Sequence, residues 1–173
     1  MDHDVDCARV RERKIMPMPP ETTEPQAWNR HFAMQANNRA WELASQPTRT
    51  EAESREMLDA AHASAHHWSA CGTELNRMRA DYLLAEVHAL LGLGASAMTR
   101  AVETLSYFER VETPDWERAY VRVIHAHAAA AAGDARTHAE SYALAETAIR
   151  AIADPEDRRI VEQTFAQVPR PAR

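Results

Sequence analysis

The sequence predicts an all-α fold of about seven antiparallel helices stacked as hairpins, with a closed helical bundle as the alternative. The first sign is a near repeat. VHALLGLGASAMTRAVETL (Val87 to Leu105) and AHAAAAAGDARTHAESYALA (Ala126 to Ala145) share one design. In each, a helix of small apolar residues stops at a glycine and a second helix starts within a few residues. The stops, Gly92 and Gly133, are 41 residues apart (133 − 92), and a fixed period of this size marks stacked supersecondary units. The second sign is composition. Hydrophobic residues make up 45% of the 173, yet aromatics only 6%, and alanine is abundant. Small side chains let helix axes approach closely. The third is that no β-branched or aromatic run is bounded by turn residues, as strands require.

The elements follow in order. Residues 1–24 carry charges and the prolines Pro17, Pro19 and Pro20, which forbid a regular helix, so a disordered arm is expected. Pro25 suits the first turn of a helix to about Gln46, with Trp28, Phe32, Ala36 and Arg39 with Ala40 and Leu43 as its packing stripe and Pro47 as its end. Thr50 and Glu53 form a capping-box pattern. The helix they open runs to Cys71, with Leu58, Ala61, His62, Ala65 and Trp68 on one face, and stops at Gly72. A third helix spans about Thr73 to Leu91, and a fourth about Ala95 to Val111. Thr113 before Pro114 predicts the cap of a fifth helix to Ala132. Gly133 and Asp134 turn into a sixth, to about Ala153. Asp154 and Pro155 start a short seventh that ends before Pro169. The single helical domain is thus placed at residues 25–168, with 169–173 as a frayed tail.

The formal charge is −6 and the sequence pI about 5.8, which excludes an electrostatic footprint for nucleic acid. Arg9, Arg11, Arg13 and Lys14 form the one basic cluster and read as a solvated tail. Two cysteines, Cys7 and Cys71, make no disulfide framework. The first residues hold no apolar signal segment, and no apolar run approaches a membrane span. A cytoplasmic protein without membrane contact is the expectation.

The third to sixth helices resemble tetratricopeptide-type repeats. The residues that carry the resemblance are Ala85, His88, Gly92, Ala97 and Ala101 in one pair, and Ala126, Ala129, Gly133, His138, Tyr142 and Ala145 in the next. It covers about residues 74–153, with the first two helices as a diverged pair. The period of 41 exceeds the roughly 34 of the standard repeat, and Asp81 stands where the motif has tryptophan. The segment AAHASAHHW (Ala60 to Trp68) and the later DW and DPED segments are also similar to a group of uncharacterised bacterial proteins. Such repeats present a concave groove. The resemblance implies that Arg79, Tyr82 and Glu86 in one pair, and Tyr120, Val123 and His127 in the next, face it. Tyr82 and Glu86 stand where carboxylate-clamping repeats use lysine and asparagine, so the implied groove suits a helix or an extended peptide.

Nine histidines raise the question of a metal. His62 and His66 are four apart, hence on one helix face at a spacing two metal-bound imidazoles can use. No HExxH or ExxH pattern accompanies them, and packing between helices accounts for His62 and for His88. Cys71 reads as a small buried hydrophobe, and the four tryptophans as core or helix-junction residues. Phosphate-cradling and nucleophile-elbow motifs are absent from the sequence. Arg77 with Asp81, Arg136 with Glu140, and Glu146 with Arg150 read as surface pairs. The expected function is a non-enzymatic interaction module for a protein or peptide, able to form a homodimer, with no cofactor. The alternatives are a metal-dependent helical enzyme built on His62 and His66, and a small-molecule sensor using Arg79, Tyr82, Glu86 and His127.

Overall fold

The structure is a computed structural model and describes residues 17–172. The basic cluster at Arg9 to Lys14, Cys7 and most of the expected arm lie outside the described residues. Among the described residues there are seven α-helices and no strand: α1 (Pro25–Ala44), α2 (Glu51–Cys71), α3 (Glu74–Leu90), α4 (Gly94–Phe108), α5 (Asp115–Ala131), α6 (Ala135–Arg150) and α7 (Pro155–Phe165). None is long and apolar enough to cross a membrane.

Each helix packs against its sequence neighbour, and the odd-numbered helices also pack on one another: α1 on α3, α3 on α5, α5 on α7. The result is two layers. The inner layer is odd; α2, α4 and α6 each bridge the two odd helices that flank them. Burial follows this layout. In α3 the run from Tyr82 to Ala89 is buried on every side, and α5 is buried nearly as completely. The outer helices bury one stripe each: Ala97, Ala101, Thr104 and Phe108 in α4, and His138, Ser141, Ala145 and Ile149 in α6. Burying one such side chain, Phe108 for instance, contributes about 1.5–3 kcal/mol.

The period of the sequence is a period of structure. Gly92 and Gly133 have φ of 71° and 72°. After α3, Leu93 N–H donates to His88 O (2.8 Å) and Gly92 N–H to Ala89 O (3.0 Å). After α5, Asp134 N–H donates to Ala129 O (3.0 Å) and Gly133 N–H to Ala130 O (3.1 Å). Both are Schellman caps, which need a left-handed residue that glycine adopts without strain. Gly94 serves a different end. A Cβ there would lie 2.4 Å from Ala131 O and Ala132 Cα, so α4 starts directly against the end of α5.

Capping is as read at Thr50, which forms a full box with Glu53, and at Asp154, whose carboxylate accepts from Glu156 and Asp157 N–H. Thr73 forms a second box with Asn76. Thr113 does not cap α5: its buried Oγ1 has no hydrogen-bond partner, and Pro114 occupies the N-cap position. Asp115 does the joining, accepting from Trp116 N–H and, across the fold, from Ala153 N–H (both 2.8 Å).

Two expected packing stripes hold at Ala40, Leu43, Ala61 and Trp68 and shift by a residue elsewhere. In α1 the buried positions are His31, Ala33, Asn37, Ala40, Leu43 and Ala44, and Phe32 is exposed. In α2 they are Met57, Ala61, Ser64 and Trp68, while His62 is exposed. Polar residues at His31, Asn37 and Ser64 disguise these faces in sequence. His138 Nε2–H donates to Pro169 O (2.9 Å), and the Gln167 amide donates to Ala44 O (3.2 Å), so the chain after α7 returns to the end of α1.

Candidate functional site

The five residues expected to line a groove do meet, at the seam between α3 and α5. Arg79 and Glu117 form a two-pronged ion pair (Nε to Oε1 2.7 Å, Nη2 to Oε2 3.0 Å), and the Tyr82 hydroxyl lies 3.5 Å from Glu117 Oε1. Further along, His127 Nδ1–H donates to the Glu86 carboxylate at 3.1 and 3.2 Å. The Tyr82 and Tyr120 rings meet edge to face at 5.2 Å, and Trp41 of α1 covers Tyr120 at 5.3 Å.

The open surface implied for these residues is corrected by their burial. Glu117 is fully buried and Glu86, Tyr82, Tyr120 and His127 nearly so. The physical reason is that the stack is short and its inner face closes on itself. Trp41 reaches across to α5, and each charged group finds its counterion in the same layer. Ion pairs in such surroundings keep their charge only because each carboxylate is neutralised locally.

Burial alone pushes the His127 imidazole down. The charge of Glu86 and the hydrogen bond to it push the other way and prevail over burial and a smaller opposing charge on Arg49, so the net shift is upward. Glu86 and His127 are 41 residues apart. They therefore occupy equivalent positions in the two repeats.

Sequence reasoning missed three members of this cluster. Glu117 reads from sequence as a first-turn helix acid, Trp41 as a core residue of α1, and Arg49 as a loop cation. The only signal for Glu117 is its place one turn before Tyr120 on the same helix.

The histidines do not converge. His62 and His66 are both exposed on α2. The His62 ring lies against His88 (centroids 5.4 Å apart), while His66 lies against His67 (5.3 Å). His88 is buried, and burial, followed by the charges of His62 and Arg100, lowers its pKa to about 4. His67 Nδ1–H donates to Asn29 Oδ1 (2.8 Å), and burial and His66 lower its pKa. His125 lies 2.8 Å from Ser141 Oγ, and burial lowers its pKa too. Among the described residues, no three His, Cys, Asp or Glu side chains are grouped so as to hold a metal ion. The Cys71 thiol is half-buried, donates to His67 O (3.3 Å), and is raised in pKa by burial, the opposite of an activated nucleophile.

Of the expected helix-surface pairs, Arg136–Glu140 (3.0 Å) and Arg150–Glu146 (3.6 Å) form. Arg77–Asp81 does not: Arg77 donates to Gly72 O, and Asp81 pairs with Arg100 of α4. A cleft of about 270 Å³ opens where α4 ends, α5 begins and α6 ends. Among its charged lining groups, Glu109 is paired with Arg122 (2.9 Å) and Asp115 accepts from backbone N–H groups.

An aromatic cluster lies on the first hairpin. Trp28, His31 and Phe32 of α1 stack in mutual contact, and Phe32 meets His67 of α2, with ring centroids 5.5–5.6 Å apart. Phe32 is 42% exposed.

Comparisons with family models, with curated proteins and with solved structures find no match to this chain.

Proposed function

We propose that this chain is a non-enzymatic, tetratricopeptide-like interaction module whose partner is a protein or peptide, including a second copy of itself. The observation that carries this reading is the aromatic face of the first hairpin. Exposed aromatic side chains with polar tips are what protein interfaces bury at their centres. Exposed Phe32, with half-buried Trp28 and His67, forms an aromatic face on the α1–α2 hairpin, the first of the described helices. The inner layer is an unsuitable binding surface in this arrangement, because its charges are committed to one another. A net charge of −6 favours a protein partner over a polyphosphate. A small-molecule sensor working through Arg79, Tyr82, Glu86 and His127 loses its main support, since protein side chains fill that space.

Cross-linking with mass-spectrometric mapping, together with light scattering, tests the proposal on wild type and Phe32→Ser. Wild type is expected to self-associate, or to retain a protein partner, through cross-links on α1 and α2. Phe32→Ser is expected to lose them with its helix content unchanged. Identical behaviour of the two proteins would defeat the reading.

A further inference from the structure

We propose that the cleft over α5, between the ends of α4 and α6, binds a small organic monocarboxylate, with Arg118 taking the carboxylate and apolar walls taking the body. The lining comes first. Phe108, Ala119, Val121, Ala148 and Ala151 supply the walls around a volume of about 270 Å³. Pockets for drug-sized ligands span roughly 300–1,000 Å³, so this cleft suits a smaller molecule.

The charged groups of the cleft differ in what they are already doing. Arg118, Arg122, Glu109 and Asp115 all line it. Arg122 is held by Glu109 (2.9 Å). Both Asp115 oxygens accept backbone N–H groups, Oδ1 from Trp116 and Oδ2 from Ala153. Arg118 alone of the four has no side-chain hydrogen bond or ion pair among the described residues. A guanidinium presents its N–H donors as a fork that fits a carboxylate on two prongs. Arg118 and Arg122 lie one turn apart on the same face of α5, so a carboxylate on Arg118 also feels a second cation.

The cleft is built before any ligand arrives. Its α4 wall is tied to α5 by the Glu109–Arg122 pair. The chain after α6 is tied to the start of α5 by the Ala153 N–H to Asp115 bond (2.8 Å). A site fixed in this way loses little entropy on binding. The same two acids limit the charge it accepts. A single carboxylate is matched by Arg118, whereas a dianion is also repelled by Glu109 and Asp115. The apolar walls favour an acid with a hydrocarbon body, each buried methylene strengthening binding about fourfold.

The test is an NMR titration of the intact chain with hexanoate, followed at the Arg118, Ala119, Ala148 and Ala151 amides. Hexanamide, which keeps the body and lacks the charge, and sulfate, which has two charges and no body, are titrated in parallel. Hexanoate is expected to move these amides saturably. Hexanamide is expected to bind at least about tenfold more weakly, as loss of a charge-assisted hydrogen bond implies, and sulfate to leave the four amides in place. Arg118→Gln is expected to weaken hexanoate by a similar factor with the melting temperature unchanged, because this side chain is exposed and holds nothing in the fold. No saturable shift at the cleft, equal binding of hexanoate and hexanamide, sulfate binding as tight as hexanoate, or unchanged affinity in Arg118→Gln would each overturn the assignment.

Discussion

Replacing Arg79 with Met removes one half of a deeply buried ion pair and leaves the other half without that cation. Glu117 is fully buried, and Arg79 is only 13% exposed at its side chain. The methionine keeps most of the apolar stem, so the loss is chiefly electrostatic. What remains near Glu117 is the Tyr82 hydroxyl at 3.5 Å, a long contact that cannot neutralise a charge. Breaking a buried pair on one side costs about 3–5 kcal/mol. That is a large part of the roughly 5–15 kcal/mol a domain has in total. At about 2–4 °C per kcal/mol for a chain of this length, the melting temperature should fall by roughly 6–20 °C. Urea titration followed by circular dichroism measures the change directly. The companion Arg79→Met with Glu117→Gln removes the orphaned charge and should recover most of the loss. A single variant within about 1 kcal/mol of wild type, or a double variant no better than the single, would refute the reasoning.

Gly94→Ala should destabilise by about 1–3 kcal/mol through overpacking, because its Cβ would strike the Ala131 and Ala132 backbone. Gly92→Ala meets open space and should lose only the roughly 1–2 kcal/mol of left-handed strain; thermal melts of the two variants distinguish clash from strain. His88, with its pKa near 4, stays neutral in the fold while the unfolded chain protonates near 6.5. Stability should therefore fall as pH drops from about 6.5 towards 4, and His88→Phe should flatten that limb in pH-dependent denaturation curves. Asp154→Ala removes the two cap bonds of α7 and should cost about 0.5–2 kcal/mol, read as early loss of amide protection in α7.

The fold was legible where backbone physics is local. Glycine at a helix stop and the caps Thr50 and Asp154 act within a few residues, so those connections could be read directly, whereas Thr113 does not cap α5. Packing faces were harder. His31 and Asn37 are buried in α1, and Phe32 is not; a hydropathy pattern cannot foresee that exchange, because it depends on where α2 and α3 lie. The Glu117 partner of Arg79 was invisible for the same reason, as 38 residues separate the two. The repeat brought Arg79, Tyr82, Glu86, Tyr120 and His127 to one layer but said nothing of their burial. Equivalence between repeats says which side chains share a layer. Whether that layer stays open depends on Trp41, which belongs to neither repeat.

The matched acid and base at positions 86 and 127 also bear on how long the array can be. Each is the other's counterpart one period away, so the junction between units is polar and directional. Duplicating residues 74–114 in frame would set one Glu86 opposite a second Glu86, two like charges in a buried layer. The core positions would tolerate an added unit, since alanine recurs along both pairs. The charge pattern would not. In this chain the number of repeats is written into a single heterotypic contact, and growth by duplication would first require that contact to mutate.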